Sequence, residues 1–182
     1  LKYTDINIEW IITGLVIGGT IGSILAKYVK MTAMPQLVAL FNAFGGASSG
    51  LVAMYAILYS KETNTEIFML ASVAFASIVG AITLTGSFIA FGKLQGIITT
   101  KPFLIPIRNV INSIIAIGIL TVAVMLCITA TDASYYLYAL VALSLLFGIL
   151  IVMPIGGADM PVVVALLNSY SGIAGAGAGF VL

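Results

Sequence analysis

Residues 67–92 have the sequence IFMLASVAFASIVGAITLTGSFIAFG and contain no charged side chain. A helix needs roughly 20 apolar residues to cross the hydrocarbon core of a bilayer, so this stretch is long enough to span a membrane. It lacks the alternation of apolar and polar residues that is typical of a membrane-spanning strand, which favours a helix. The stretch therefore predicts a transmembrane helix.

The rest of the chain continues this pattern, because charges and turn residues divide it into five further apolar runs. The six approximate runs are residues 8–26, 34–60, 67–92, 108–130, 134–153 and 160–182. We expect an all-α integral membrane protein, a bundle of about six transmembrane helices in which residues 1–182 form one membrane domain. Since Leu1 is not a methionine and Leu182 lies inside an apolar run, we expect a piece of a longer membrane protein.

The composition excludes several other classes of protein. Of the 182 residues, 62% are hydrophobic and only 7% are charged, whereas soluble domains average about 25% charged residues. A water-soluble globule and a disordered tail are excluded, and a net charge of +1 gives no basic face for nucleic acid. With Cys127 as the single cysteine and no histidine, the chain has no disulfide framework, no cysteine-based metal site and no imidazole chemistry.

Positive charge predicts how the helices are oriented. Cytoplasmic loops of membrane proteins are enriched in Lys and Arg. One face of the predicted bundle carries five such residues: Lys27, Lys30, Lys93, Lys101 and Arg108. The opposite face carries only Lys2 and Lys61. We therefore place the first face in the cytoplasm and Leu1 outside.

An internal repeat positions two asparagines. Residues 34–46, MPQLVALFNAFGG, recur as residues 160–172, MPVVVALLNSYSG, and every residue of the second copy is numbered 126 higher. Both copies start from the same face, so their helices run parallel. Asn42 and Asn168 then lie about 12 Å from the cytoplasmic end, at a depth similar to that of Ser87, about 9 Å from Lys93.

Two amides and one hydroxyl at one depth predict a polar conduit through the bundle. The alternative is that each asparagine joins neighbouring helices by a hydrogen bond and does nothing more. None of the three side chains titrates near neutral pH, so a proton path here needs a titrating group from elsewhere. The repeated small residues, among them Gly14, Gly18 and Gly22, predict close helix packing.

Charged residues at the cytoplasmic mouth form a second candidate site. Asp159 follows two glycines and precedes the second Met-Pro, a position that suits the N-cap of a helix. The alternative is an acidic group that couples the membrane domain to a soluble partner. Lys93 and Arg108 are orientation determinants, with a second role in this coupling left open. The other acidic residues, Glu62, Glu66 and Asp132, are expected in solvated outer loops.

Three stretches resemble one family, the beta subunit of proton-translocating NAD(P) transhydrogenase. They run from Met31-Thr32-Ala33-Met34-Pro35 to Asn42, from Gly86-Ser87 to Leu94, and from Gly156-Gly157-Ala158-Asp159 to Gly172. The resemblance implies that protons crossing the membrane drive hydride transfer from NADH to NADP⁺. It also implies that further helices and a cytoplasmic NADP(H)-binding domain lie outside residues 1–182. Soluble domains would bind NADP(H) and NAD(H), which leaves no catalytic residue, cofactor site or metal site in this chain.

The resemblance also implies roles for the polar residues. Asn168 matches a family position on the proton path, and Ser87 matches a Gly-Ser step of the corresponding helix. Many family members have a histidine where this chain has Asn42. We therefore expect a neighbouring alpha-type membrane subunit to supply a proton-carrying histidine that meets Asn42.

Coupling and assembly follow from the same resemblance. Asp159 matches the loop that faces the NADP(H)-binding domain. Apart from the resemblance, Lys93 and Arg108 are candidates for coupling because their charges lie at the same mouth. The expected partners are the alpha-type membrane subunit, the NADP(H)-binding domain, an NAD(H)-binding subunit and membrane lipid, in a dimeric complex. Its expected location is the bacterial plasma (inner) membrane, or the mitochondrial inner membrane in a eukaryote.

Two other classes of function stay open at this point. The parallel repeat is compatible with a secondary transporter or channel subunit, since such proteins are commonly built from repeats. Glycine-rich helices are also compatible with a subunit that serves only assembly. The sequence beyond residue 182 would discriminate between these three classes, because only a transhydrogenase subunit is expected to have a nucleotide-binding domain there.

Overall fold

The computed structural model describes residues 8–59, 67–104, 106–129 and 133–181. Six long helices cover most of them: α1 (Ile8–Tyr28), α2 (Met34–Leu58), α3 (Ile67–Leu94), α4 (Arg108–Ile128), α5 (Ala133–Val152) and α6 (Met160–Gly179). Each is long and apolar enough to cross a membrane, and the described residues contain no strand. The predicted all-α membrane bundle is confirmed. The expectations for Leu1, Glu62, Glu66 and Asp132 lie outside the described residues.

Helix α3 occupies the centre of the bundle and packs against α2, α4, α5 and α6. Glycines bring its backbone into contact with two neighbours. A β-carbon built on Gly80 of α3 would lie 2.6 Å from the carbonyl oxygen of Gly46 in α2. One built on Gly148 of α5 would lie 2.6 Å from the carbonyl oxygen of Ile82 in α3. Small residues therefore set the helix spacing here, as is usual inside membranes.

Two apolar clusters fill the bundle, one towards each end. The cluster at the end where α3 terminates, hereafter the Lys93 end, includes Ala39, Ala90, Val152, Met160, Val164 and Leu167. The opposite cluster includes Val73, Ala76, Leu126, Leu137 and Leu140. A polar side chain between these clusters is screened from water and needs a partner inside the protein.

Helix α1 stands apart from this core. None of its residues is buried, and nothing lies within 4 Å of the β-carbon positions of Gly14, Gly18 and Gly22. The small residues that do bring backbones together within the described ranges are in α2, α3, α5 and α6 instead.

The sequence repeat is also a backbone repeat. A short 3-10 turn, Met31–Ala33 or Gly157–Asp159, precedes each of α2 and α6. The residues before the two turns have matching dihedral angles, with φ −65° and ψ 147° at Lys30 and φ −69° and ψ 153° at Gly156. Each helix then carries a proline in its first turn, where the missing N–H has no intrahelical partner to lose.

The two copies pack against each other in register. A β-carbon on Gly45 would lie 3.1 Å from Oγ of Ser171, and one on Gly175 would lie 3.9 Å from Oγ of Ser49. In both contacts a residue meets its own repeat counterpart, 126 positions away. A parallel pair with this register has an approximate two-fold axis along the helices, so counterparts away from the seam point in opposite directions.

Burial follows this symmetry. Phe41 is 42% exposed while its counterpart Leu167 is 4% exposed. Asn42 is buried and Asn168 is exposed. The repeat therefore preserves depth along the helix axis but reverses the side of the pair on which each residue lies.

Candidate functional site

The polar side chains of Asn42 and Ser87 meet between α2 and α3. Nδ2 of Asn42 donates a hydrogen bond to Oγ of Ser87 at 2.8 Å. Asn42 is 5% exposed and Ser87 is fully buried. Because α3 runs antiparallel to α2, equal depths from the Lys93 end bring these two residues side by side.

The remaining polar atom of Asn42 is available for another contact. Its Oδ1 is buried and accepts no hydrogen bond from any described residue. Leaving a buried amide oxygen unpaired costs about 1–3 kcal/mol, so such atoms usually have a donor. Oδ1 of Asn42 is therefore a buried acceptor without a donor among the described residues, and this chain's own atoms enclose it.

One buried hydroxyl that was not predicted from the sequence extends this polar site along α3. Thr83 lies one helical turn from Ser87 and is fully buried, and its Oγ1 has no partner among the described residues. Its Cβ would lie 2.9 Å from a β-carbon on Gly46, which places Thr83 against α2. Ser77 is also buried and has no partner among the described residues, but it lies ten residues from Ser87 and is not part of this site. The i, i+4 spacing of Thr83 and Ser87 is the signal that identifies a shared face.

Asn168 lies elsewhere, on the outside of the α2–α6 pair. Its exposed side chain lines a groove of about 380 Å³ between the first turns of the two helices. The other lining residues are Met34, Pro35, Val38, Pro161, Val164 and Ala165. The structure thus brings Asn42 and Ser87 together but directs Asn168 to the opposite side, as the approximate two-fold axis requires.

Asp159 is the N-cap residue of α6, as the sequence predicted for its position. Its side chain makes no capping hydrogen bond, and the residue is exposed. The backbone N–H of Asp159 donates to the carbonyl of Gly156 at 3.1 Å instead. The carboxylate therefore does not cap the N-terminus of α6.

Lys93 is buried rather than displayed at the mouth of the bundle. It is 1% exposed, and its Nζ donates to the carbonyl oxygens of Met153 at 2.5 Å and Ile155 at 2.7 Å. Both acceptors belong to the segment between α5 and α6, residues 153–159, which also contains Asp159. Lys93 therefore binds the segment that contains Asp159 from inside the bundle, through two main-chain carbonyls.

Arg108 is the first residue of α4 and is partly exposed. It lines a small cavity of about 120 Å³ between α4 and α5. The other lining residues are Phe103, Ile111, Asn112, Ile149, Leu150, Met153 and Pro154. Arg108 and Lys93 thus approach the same segment, around Met153, from two sides. No group of three metal-ligating side chains occurs within the described ranges.

These features define a class of protein: a polytopic helical membrane protein with a buried uncharged polar pair and a charged segment at one end of the bundle. Comparison with known sequences gives the family. The family described as NAD(P) transhydrogenase beta subunit matches residues 1–182, and the chain belongs to it.

Curated relatives carry the same description. The protein named NAD(P) transhydrogenase subunit beta from Rhodospirillum rubrum is 44% identical over 179 residues. The same protein from a defined strain of that species gives the same identity. The match covers 95% of this chain and 38% of the relative. The chain therefore spans a little over a third of the length of these relatives.

Proposed function

We propose that this chain is a membrane domain of a proton-translocating NAD(P) transhydrogenase. It conducts protons across the membrane, and this movement is coupled to hydride transfer from NADH to NADP⁺ in soluble domains outside residues 1–182. The observation that carries the proposal is the buried Asn42–Ser87 pair with its unpaired amide oxygen. Membership of the beta subunit family supports the assignment of the reaction.

Asn42 and Ser87 orient a proton carrier and do not carry the proton themselves. Neither side chain titrates near neutral pH. With Nδ2 held by Ser87, Oδ1 of Asn42 is left to accept a hydrogen bond from a water of the path, because the atom is buried inside this chain. We assign the proton carrier that this water reaches to a histidine on a neighbouring alpha-type membrane subunit, since this chain has no histidine. An imidazole is the side chain whose ordinary pKa allows it to gain and lose a proton near pH 7.

Asn168 contributes from the groove side. Its amide is exposed in an otherwise largely apolar groove between α2 and α6, and a polar group in a membrane helix is most often directed at another helix or a water-filled path. We propose that a helix of the partner subunit contacts Asn168 there. The proton path then uses Asn42 and Ser87 on one side of the α2–α6 pair and Asn168 on the other.

The segment with Asp159 couples this path to the nucleotides. We place the Lys93 end of the bundle in the cytoplasm, or in the matrix of a mitochondrion, with Asp159 facing the NADP(H)-binding domain. Arg108 lies partly exposed on the same end and supports that contact. The complex is completed by an NAD(H)-binding subunit and is dimeric, in the bacterial plasma membrane or the mitochondrial inner membrane.

The test uses the whole complex reconstituted into lipid vesicles. Two rates are measured: proton-coupled transhydrogenation, and the proton-independent cyclic exchange between bound nucleotides. Asn42→Leu removes the acceptor and should lower the coupled rate at least roughly 10-fold, which corresponds to about 1.4 kcal/mol, while cyclic exchange persists.

The matched control is Asn112→Leu, the same substitution in α4 at the wall of the small cavity. It should leave the ratio of the two rates unchanged. Proton movement in the absence of nucleotides would instead support a channel. Equal loss of both rates in Asn42→Leu would show that the Asn42–Ser87 pair serves only helix packing.

A further inference from the structure

The segments that follow α3 and precede α6 are joined into one unit at the Lys93 end. The backbone N–H of Gly157 donates to the carbonyl of Thr100 at 2.9 Å, and that of Phe103 donates to the carbonyl of Met153 at 3.4 Å. Lys93 adds its two bonds to the carbonyls of Met153 and Ile155. Main-chain hydrogen bonds thus join residues 95–104 to residues 153–159. Lys93 binds the second of these segments from inside the bundle.

Lys93 is an unusual residue for this position. Lysine is rarely fully buried unless its amino group is paired, and here both partners are main-chain carbonyls rather than carboxylates. They follow the last turn of α5, which ends at Val152. Carbonyls at a helix C-terminus lack intrahelical donors, and the helix dipole there favours a cation. Lys93 therefore closes the end of α5 from a neighbouring helix.

The same end of α3 is also tied to α2. Nε2 of Gln36 donates to the carbonyl of Leu94 at 3.2 Å. Gln36 lies six residues before Asn42 on α2, and Lys93 lies six residues after Ser87 on α3. Both distances are about 9 Å along the helix axis. Two hydrogen bonds therefore join these segments of α2 and α3, the Asn42–Ser87 bond at one end and the Gln36–Leu94 bond at the other. Lys93 lies beside the second bond.

We propose that Lys93 is a positioning residue that transmits the state of the Asn42–Ser87 pair to the segment bearing Asp159. A helix of six residues is stiff, so a shift of α3 at Ser87 displaces Nζ of Lys93 and the carbonyls it holds. The Asp159 segment then moves with α3 and not with α5 alone. This inference rests on the proposed function, because it concerns how that same site is coupled to the soluble domains.

The experiment compares three variants of the full complex in vesicles. Lys93→Met keeps the length and removes the donors, Lys93→Arg restores donors, and Lys101→Met removes an exposed lysine from the adjoining segment. We measure the coupled rate, the cyclic exchange rate, and hydrogen–deuterium exchange of residues 153–159. Lys93→Met should lower the coupled rate roughly 10-fold, keep cyclic exchange within about 2-fold, and speed deuterium uptake in the segment.

The two other variants make this result specific. Lys93→Arg should recover part of the coupled rate, and Lys101→Met should match the wild type in all three measurements. A Lys93→Met complex that couples normally, or that loses both rates equally, overturns the role of Lys93. A wild-type complex without any proton-coupled rate overturns the proposed function itself, so the two failures are distinguishable.

Discussion

The contact between Gly46 and Gly80 gives the strongest prediction for the fold. A methyl group at position 80 would lie 2.6 Å from the carbonyl oxygen of Gly46, 3.0 Å from the nitrogen of Gly50 and 3.1 Å from its Cα. All three are main-chain atoms, so no change of rotamer relieves the overlap. Ordinary contact begins near 3.5 Å, and the helices must therefore separate by about 1 Å.

Gly80→Ala should destabilise the bundle. Overpacking of this kind costs about 1–3 kcal/mol, against a gain of about 0.5–1 kcal/mol from replacing a helical glycine by alanine. A separation of about 1 Å would also stretch the 2.8 Å bond between Asn42 and Ser87 beyond hydrogen-bond range. The variant should therefore lose both stability and proton coupling.

The measurement is the temperature at which half of the detergent-solubilised complex loses its folded size-exclusion peak, together with the coupled rate. Gly118→Ala is the control, because its β-carbon would lie at an ordinary 3.9 Å from the nearest atom, Cδ1 of Leu143. It should be as stable as the wild type or slightly more stable. A Gly80→Ala complex that behaves like Gly118→Ala would show that α2 and α3 are not in backbone contact, and the geometric reasoning would be wrong.

Three further substitutions test individual side chains. Asn168→Leu should impair proton-coupled transhydrogenation while cyclic exchange stays measurable; equal loss of both rates would indicate misfolding or a packing role. Asp159→Asn should change the rate of NADP(H) release with little change in stability, since no capping bond is lost; unchanged release kinetics would leave Asp159 as a helix-end residue only. Thr85→Val removes the hydroxyl that donates to the carbonyl of Leu145 at 2.8 Å. It should lower the free energy of unfolding by about 0.6–1 kcal/mol and so lower the unfolding temperature. A Thr85→Val variant that unfolds at the wild-type temperature would show that this bond between α3 and α5 contributes nothing.

The helices themselves were predictable from the sequence. Each predicted run agrees with an observed helix to within a few residues, because bilayer thickness fixes the length of an apolar run and charged residues mark its ends. The repeat also predicted that α2 and α6 begin alike. Its Met-Pro start specifies a local backbone conformation that does not depend on the rest of the fold.

Part of the candidate site was predictable as well. Counting residues from the helix ends placed Asn42 and Ser87 at one depth, and the structure joins them. The same counting placed Asn168 with them, and the structure does not. Depth along an axis follows from the rise per residue, whereas the direction of a side chain around the axis depends on which helices pack against it.

The sequence by itself determined the number of membrane-spanning helices, the depth of each polar residue and the family to which the chain belongs. Only the tertiary structure decided which faces meet. The in-register packing of α2 on α6 turns Asn168 away from Asn42. The approach of α3 to the end of α5 buries Lys93 against carbonyls 60 and 62 residues away. Both outcomes depend on contacts between residues far apart in the chain, which hydropathy and spacing within one helix do not specify.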